Sequence, residues 1–349
     1  LILELLLLLG LGVAVGAGVI VSNDDDDDEV AEVTGFDLDE NNDLVGTMGN
    51  DTLSAGNLDQ LEDNQSAEVR GGEGDDLIDF NAVLDEEDTS GGLHSLGLTS
   101  TEVSGGAGND TIVMEDFDDY DNTIAGGDGD DSIRYSDRYS SPNTVIEGGN
   151  GNDTIDASDA DDVDIYGGAG DDYIQALYEG YSGDGYTTRV YGGEGDDTLR
   201  LDPVSPFQTF SHVATQEAFG GAGADRFELL IDEGEISDDS LTAEDVREQN
   251  ENPYEPGYDM FFVDDETLGA VAFSLPDFEA GVDVLSIEAN TLNDEYTFAG
   301  ARSEADGDDG SRIILTYESD ELVTREVHIL IGAPGVTMAD VELIDGTTA

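Results

Sequence analysis

Apolar residues recur through the middle of the chain at one fixed place, two residues beyond an Asp: Leu53, Ile78, Ile112, Ile133, Ile155, Ile174, Leu199 and Phe227. A second apolar series stands two places ahead of paired glycines, at Val69, Val103, Ile124, Ile146, Ile165 and Val190. Polar residues and glycines fill the space between. Each unit therefore reads as a short strand, a turn and a second short strand, with inward side chains on both strands. Stacked units of this kind would share one thin core, as in a solenoid, rather than enclose one large globule.

The pattern changes at both ends. Beyond Phe227 the Gly-Asp periodicity stops, and strand-like alternation is expected at Gly269–Ser274, Val282–Ile287, Arg312–Tyr317 and Val327–Ile331. Asp306 to Gly310 supplies a turn into the third of these. Ser240 to Gln249 is expected as a short helix on an insertion. At the other end, Leu5 to Asn23 is an uncharged, largely apolar run, and the acidic block Asp24 to Glu29 follows it. A helix of that length spans a bilayer core of ~30 Å. A membrane anchor or export segment over residues 1–23 is the first expectation. A cleaved signal peptide lacking the usual basic start, or a buried helix, stays open beside it. Gly12 and Gly16 have the spacing of a helix-packing motif. Residues 24–45 read as an acidic linker.

Eight turns separate the paired strands, beginning at Gly46, Gly71, Gly105, Gly126, Gly148, Gly167, Gly192 and Gly220. The fourth residue of every turn is Gly. The sixth is Asp in every copy: Asp51, Asp76, Asp110, Asp131, Asp153, Asp172, Asp197 and Asp225. Recurring glycines let the chain turn through φ > 0 and point successive carbonyl oxygens into one concavity. With a carboxylate added, the result is a hard all-oxygen site that suits calcium and not a soft metal.

The segments GGNGNDTID, from Gly148 to Asp156, and GGAGDDYIQ, from Gly167 to Gln175, resemble the RTX, or haemolysin-type, calcium-binding nonapeptide. The resemblance runs over residues 46–228. It implies an all-β fold, a right-handed parallel β-roll, followed by a C-terminal β-rich cap domain at 229–349. It also implies calcium held between loops stacked one coil apart: carbonyls of positions two and four with the Asp of one loop, and carbonyls of positions one and three with the Asp of the next. Carried over, these are Gly72, Gly74 and Asp76; Gly105, Gly106, Ala107, Gly108 and Asp110; Gly126, Gly127, Asp128, Gly129 and Asp131; Gly148, Gly149, Asn150, Gly151 and Asp153. The series continues with Gly167, Gly168, Ala169, Gly170 and Asp172; Gly192, Gly193, Glu194, Gly195 and Asp197; and Gly220, Ala222 and Asp225.

Starts are spaced by 19 to 34 residues rather than nine. This implies one calcium loop per coil, hence one row of about four to six ions. Insertions such as Asn81–Leu98 and Glu179–Thr188 would leave from the other side. The short interval makes the Asp153–Asp172 pair the leading site. The interval of 34 is expected to interrupt the row, and Thr47 in the first copy and Ala224 in the last mark weak or capping ends. The segment from Asp277 to Ile287 resembles the DFxxGxDxI element that often follows such repeats. The C-terminal residues resemble family ends that carry a type I secretion signal, which implies an ABC-type exporter as a partner.

The chain has 85 acidic residues against 10 basic ones, all Arg, for a net charge of −75. That balance excludes nucleic acid as a partner. It also opposes a compact state unless cations intervene, so folding and metal binding should be coupled. Cysteine is absent, which excludes disulfides and thiol chemistry. The histidines His94, His212 and His328 stand far apart, and neither an HExxH nor a GxSxG motif exists. The expectation is an extracellular or cell-surface, non-enzymatic protein that folds on calcium, with a structural or adhesive role and an unidentified surface or glycan partner. The alternative is a secreted polysaccharide- or lipid-acting enzyme that uses the roll as a stabiliser.

Overall fold

The computed structural model of the protein describes residues 35–39, 41, 43–53, 66–80, 100–117, 121–137, 143–158, 160, 163–177, 188–202, 216–233, 260–262, 267–292, 296–319 and 324–345. The apolar run at 1–23, the start of the acidic linker, the insertions at 81–98 and 179–187, and the helix expected at Ser240–Gln249 lie outside them. Among the described residues every regular element is a strand.

Two parallel ladders build the molecule. The first runs through Leu44–Val45, Ser66–Glu73, Ser100–Ala107, Thr123–Asp128, Thr144–Asn150, Val163–Ala169, Arg189–Glu194 and Gln216–Ala222. The second runs through Leu77–Asp79, Thr111–Phe117, Ser132–Asp137, Thr154–Asp156, Tyr173–Ala176, Thr198–Leu201 and Arg226–Glu233. Each glycine turn carries the chain from the first ladder to the second, so every repeat makes one coil of a parallel β-roll. Both ladders go on past the last turn. Gln216–Ala222 pairs with Thr267–Leu275, and that strand pairs with Thr324–Ile331. Arg226–Glu233 pairs with Val284–Leu292, which pairs with Val341–Asp345. An antiparallel hairpin, Tyr296–Asp306 with Gly310–Ser319, then covers the outer edge of Thr324–Ile331.

The core lies between the ladders. Both apolar series seen in the sequence point into it, with Ile112, Ile155 and Ile174 from one side and Val103, Ile146 and Ile165 from the other fully buried. In register, Ile155 sits between Ile133 and Ile174. Replacing Ile155 with Ala should cost about 3 kcal/mol, because a rigid parallel stack cannot collapse onto the hole. Urea unfolding in calcium measures it, and a loss below about 1 kcal/mol would mean that the stack yields.

The 34-residue interval does not interrupt the roll. Gly72 is in register with Gly106, and Glu73 with Ala107. The extra residues leave after Phe80 and return before Ser100, on the edge away from the turns. Coil pitch is set by the ladder bonds and is independent of the number of residues between Phe80 and Ser100.

Candidate calcium-binding edge

The eight turns stack along one edge of the roll. From the second copy to the eighth, the second and fourth glycines lie at positive φ, for example Gly149 at 120° and Gly151 at 132°. At each, the side a Cβ would occupy holds a backbone oxygen of the preceding turn. The first copy differs. Thr47 stands in the second place and neither it nor Gly49 has a positive φ, since a β-branched residue resists that region. This loop is in line with the others but does not have their shape.

The sixth-position aspartates form a buried ladder. The amide of each donates forward to Oδ1 of the next: Asp51 to Asp76, Asp76 to Asp110, Asp110 to Asp131, Asp131 to Asp153, Asp153 to Asp172, Asp172 to Asp197 and Asp197 to Asp225, at 2.7 to 3.0 Å. The second oxygen is left over. Oδ2 of Asp76, Asp110, Asp131, Asp153, Asp172 and Asp197 is buried with no hydrogen-bond partner. An orphaned buried carboxylate oxygen costs several kcal/mol unless a cation or proton meets it.

Backbone oxygens come to the same place. A methyl group placed on Gly148 would lie 2.5 Å from both Asp153 Oδ2 and the Gly167 carbonyl oxygen of the next turn. The same two kinds of oxygen converge at Gly71, Gly126, Gly167 and Gly192. Third-position carbonyls of Ala107, Asp128, Asn150, Ala169, Glu194 and Ala222 each accept the fourth-position amide of the preceding turn at 2.7 or 2.8 Å. Each keeps one lone pair. Among the described residues no group of three or more His, Cys, Asp or Glu side chains is placed to hold a metal. An ion on this edge therefore draws on carbonyls and single carboxylates, a donor set that fits a hard cation such as calcium. The structure thus brings the sequence-derived positions together, copy by copy. It does not favour the Asp153–Asp172 pair, because every pair of adjacent turns is one coil apart whatever its spacing in sequence.

Both ends of the row are closed by hydrogen bonds. Asp51 Oδ1 accepts the Gly35 amide at 2.5 Å, and its Oδ2 accepts the Thr47 amide. At the far end Asp283 takes the place of a ninth column Asp, with Oδ1 accepting the Asp225 amide at 3.1 Å. Its Oδ2 accepts the Glu279 amide at 2.6 Å. Asp277 receives the amides of Gly220 and Gly221 at 3.2 and 3.0 Å. Asp277 and Asp283 are absent from the motif-derived set, although Asp283 is followed two places on by Leu285, which continues the apolar column.

Burial pushes the carboxyls of Asp131 and Asp172 up to about 7 and those of Asp76 and Asp197 up to about 6. The amide from the preceding turn pulls the other way, and neighbouring carboxylates add to the rise. Asp110, Asp153 and Asp225 are raised by the same burial. A carboxyl raised in the folded state binds more protons there than in the unfolded chain, so the ion-free roll gains stability as pH falls from about 7 toward 4. Calcium must displace those protons, so its affinity falls over the same window. Circular dichroism in EGTA should show more strand at pH 5 than at pH 7.5. Identical spectra would count against ion-free aspartates of raised pKa.

A family model described as the RTX calcium-binding nonapeptide repeat (4 copies) matches residues 38–57, 102–114, 118–135, 143–174 and 182–202. Comparison with curated proteins gave no match.

Proposed function

We propose that this protein, whose residues 38–57, 102–114, 118–135, 143–174 and 182–202 match the family model of the RTX calcium-binding nonapeptide repeat, is a secreted or surface-held rod. In this reading its structure is completed by calcium, and its role is mechanical or adhesive rather than catalytic. The observation that carries it is the file of buried, unpartnered Oδ2 atoms from Asp76 to Asp197. Calcium supplies positive charge and inner-sphere coordination to these oxygens. Asp Oδ2, together with first-position carbonyls such as that of Gly167, would hold it. About six intervals separate the turns from Asp76 to Asp225, which suits a stoichiometry of four to six ions.

Calcium of extracellular concentration matches such sites, whose Kd is typically ~10⁻⁴ to 10⁻³ M. In the low-calcium cytoplasm the acidic chain would stay expanded, which suits passage through an exporter. The described histidine, His328, is buried between Glu326 and Arg312, which supports a packing role for it. Equilibrium dialysis against labelled calcium tests the reading. Four to six ions per chain are expected, and one ion or none would overturn it. Release of sugar or fatty acid from envelope polymers or lipids would favour the enzymatic alternative.

A further inference from the structure

A second ladder runs beside the buried one, on its solvent side. It is made by the fifth residues of the turns: Asn50, Asp75, Asn109, Asp130, Asn152, Asp171 and Asp196. Each side chain accepts, through Oδ1, the backbone amide of the fifth residue in the following turn. The bonds measure 3.1, 2.9, 3.0, 2.8, 2.7, 2.9 and 2.9 Å, and the last amide is that of Ala224. The buried aspartate ladder donates forward along the roll, whereas this one donates backward. Adjacent turns are thus tied by two bonds of opposite polarity, one from the buried sixth residue that also carries the orphaned Oδ2 and one from the exposed fifth residue beside it.

Charge along the outer ladder is not random. Amide and carboxylate alternate from Asn50 to Asp171. In parallel strands, neighbours of this kind lie about 4.8 Å apart, and like charges so placed repel. Over those six turns the alternation keeps an acceptor on every turn while separating the carboxylates, and only Asp171 and Asp196 then stand adjacent in the ladder. Ala224 lacks an acceptor, and the ladder stops there.

We propose that the fifth-position Asn and Asp side chains are positioning residues for calcium. By fixing the distance and twist between adjacent turns, they hold the carbonyls of one turn against the carboxylate of the other. They are not ligands. The inference rests on the calcium reading of the edge, and its failure is separable from failure of that reading.

Asn152 is the test position, since its neighbours Asp130 and Asp171 are both in the ladder. In the full-length chain at ~0.3 M salt, where exposed charges are screened, Asn152→Ala should keep the wild-type number of bound calcium ions. Its calcium affinity should fall about tenfold, the effect of one lost hydrogen bond with its geometry. Asn152→Asp keeps the acceptor and should restore affinity to within about twofold. Hydrogen exchange at the Asp171 amide should be fast in the Ala variant and protected in the Asp variant. Asn152→Leu, similar in size but without an acceptor, should be as impaired as the Ala variant, whereas a purely steric role would let it bind like wild type. If the Ala variant binds like wild type, or if Ala and Asp are equally impaired, the positioning role is wrong. If the unaltered chain takes up no calcium, the calcium reading fails first and this proposal falls with it.

Discussion

Chelation of calcium by EGTA at pH 7.5 should convert the strand-rich circular dichroism of this protein to that of an unfolded chain, and ~10 mM calcium should restore it. The size of the effect follows from the buried ladder. Consecutive carboxylates one coil apart, about 4.8 Å, repel by roughly 3 kcal/mol per adjacent pair at an effective dielectric near 20. A few such pairs match the 5–15 kcal/mol that typically separates folded from unfolded states. Desolvation adds to this, since Asp131 and Asp172 are nine-tenths or more buried and their Oδ2 atoms have no partner. Protonation can relieve the strain only near or below the raised pKa values of about 6 to 7. At pH 7.5 a cation is required. A spectrum unchanged by EGTA would show that packing of the thin core suffices by itself.

Substitution of one motif glycine should be nearly as damaging, and its position in the row decides the result. Gly151 has φ 132°, and a Cβ there would run into the carbonyl oxygen of Gly129. Gly151→Val combines backbone strain with a clash against a ladder that cannot shift, a loss of about 4 kcal/mol or more. The calcium needed for half-maximal folding should rise at least about tenfold. Gly49 occupies the same motif place in the first copy. Its φ is not positive, and the nearest atom to an added Cβ is Thr47 Oγ1 at 4.0 Å. Gly49→Ala should change stability by less than about 0.5 kcal/mol. Equal effects at the two positions would refute the difference in loop shape.

This contrast shows where the sequence was legible. Thr47 marks the first turn as different on inspection, because only glycine enters the required region cheaply. The Asp and Ile columns give the edge and the core directly, since each has one side chain per coil with a single task. Distances along the chain misled: a 34-residue interval looks like a break, but the roll measures pitch through the register of Gly72 with Gly106. The end caps were partly visible. The segment from Asp277 to Ile287 stands out as an element, but nothing in it announces that Asp277 would receive the Gly220 and Gly221 amides.

The strand Tyr296–Asp306 was not expected, because its residues are mostly exposed or half-buried and show little apolar alternation. Its pairing with Gly310–Ser319 comes from the turn at Asp306–Gly310 and from ladder bonds, not from an inward face. The fifth-position ladder was hidden for another reason. Motifs record identity, and a column that alternates between Asn and Asp looks variable until the shared Oδ1 acceptor is seen.

The closed ends of the turn row have a consequence for assembly. Among the described residues, the carboxylates that end the row, Asp51 and Asp283, each have both oxygens engaged by amides of the same chain. On the calcium reading, the number of ions bound along this edge should therefore be the same at low and at high protein concentration, which calcium uptake measured across a dilution series checks.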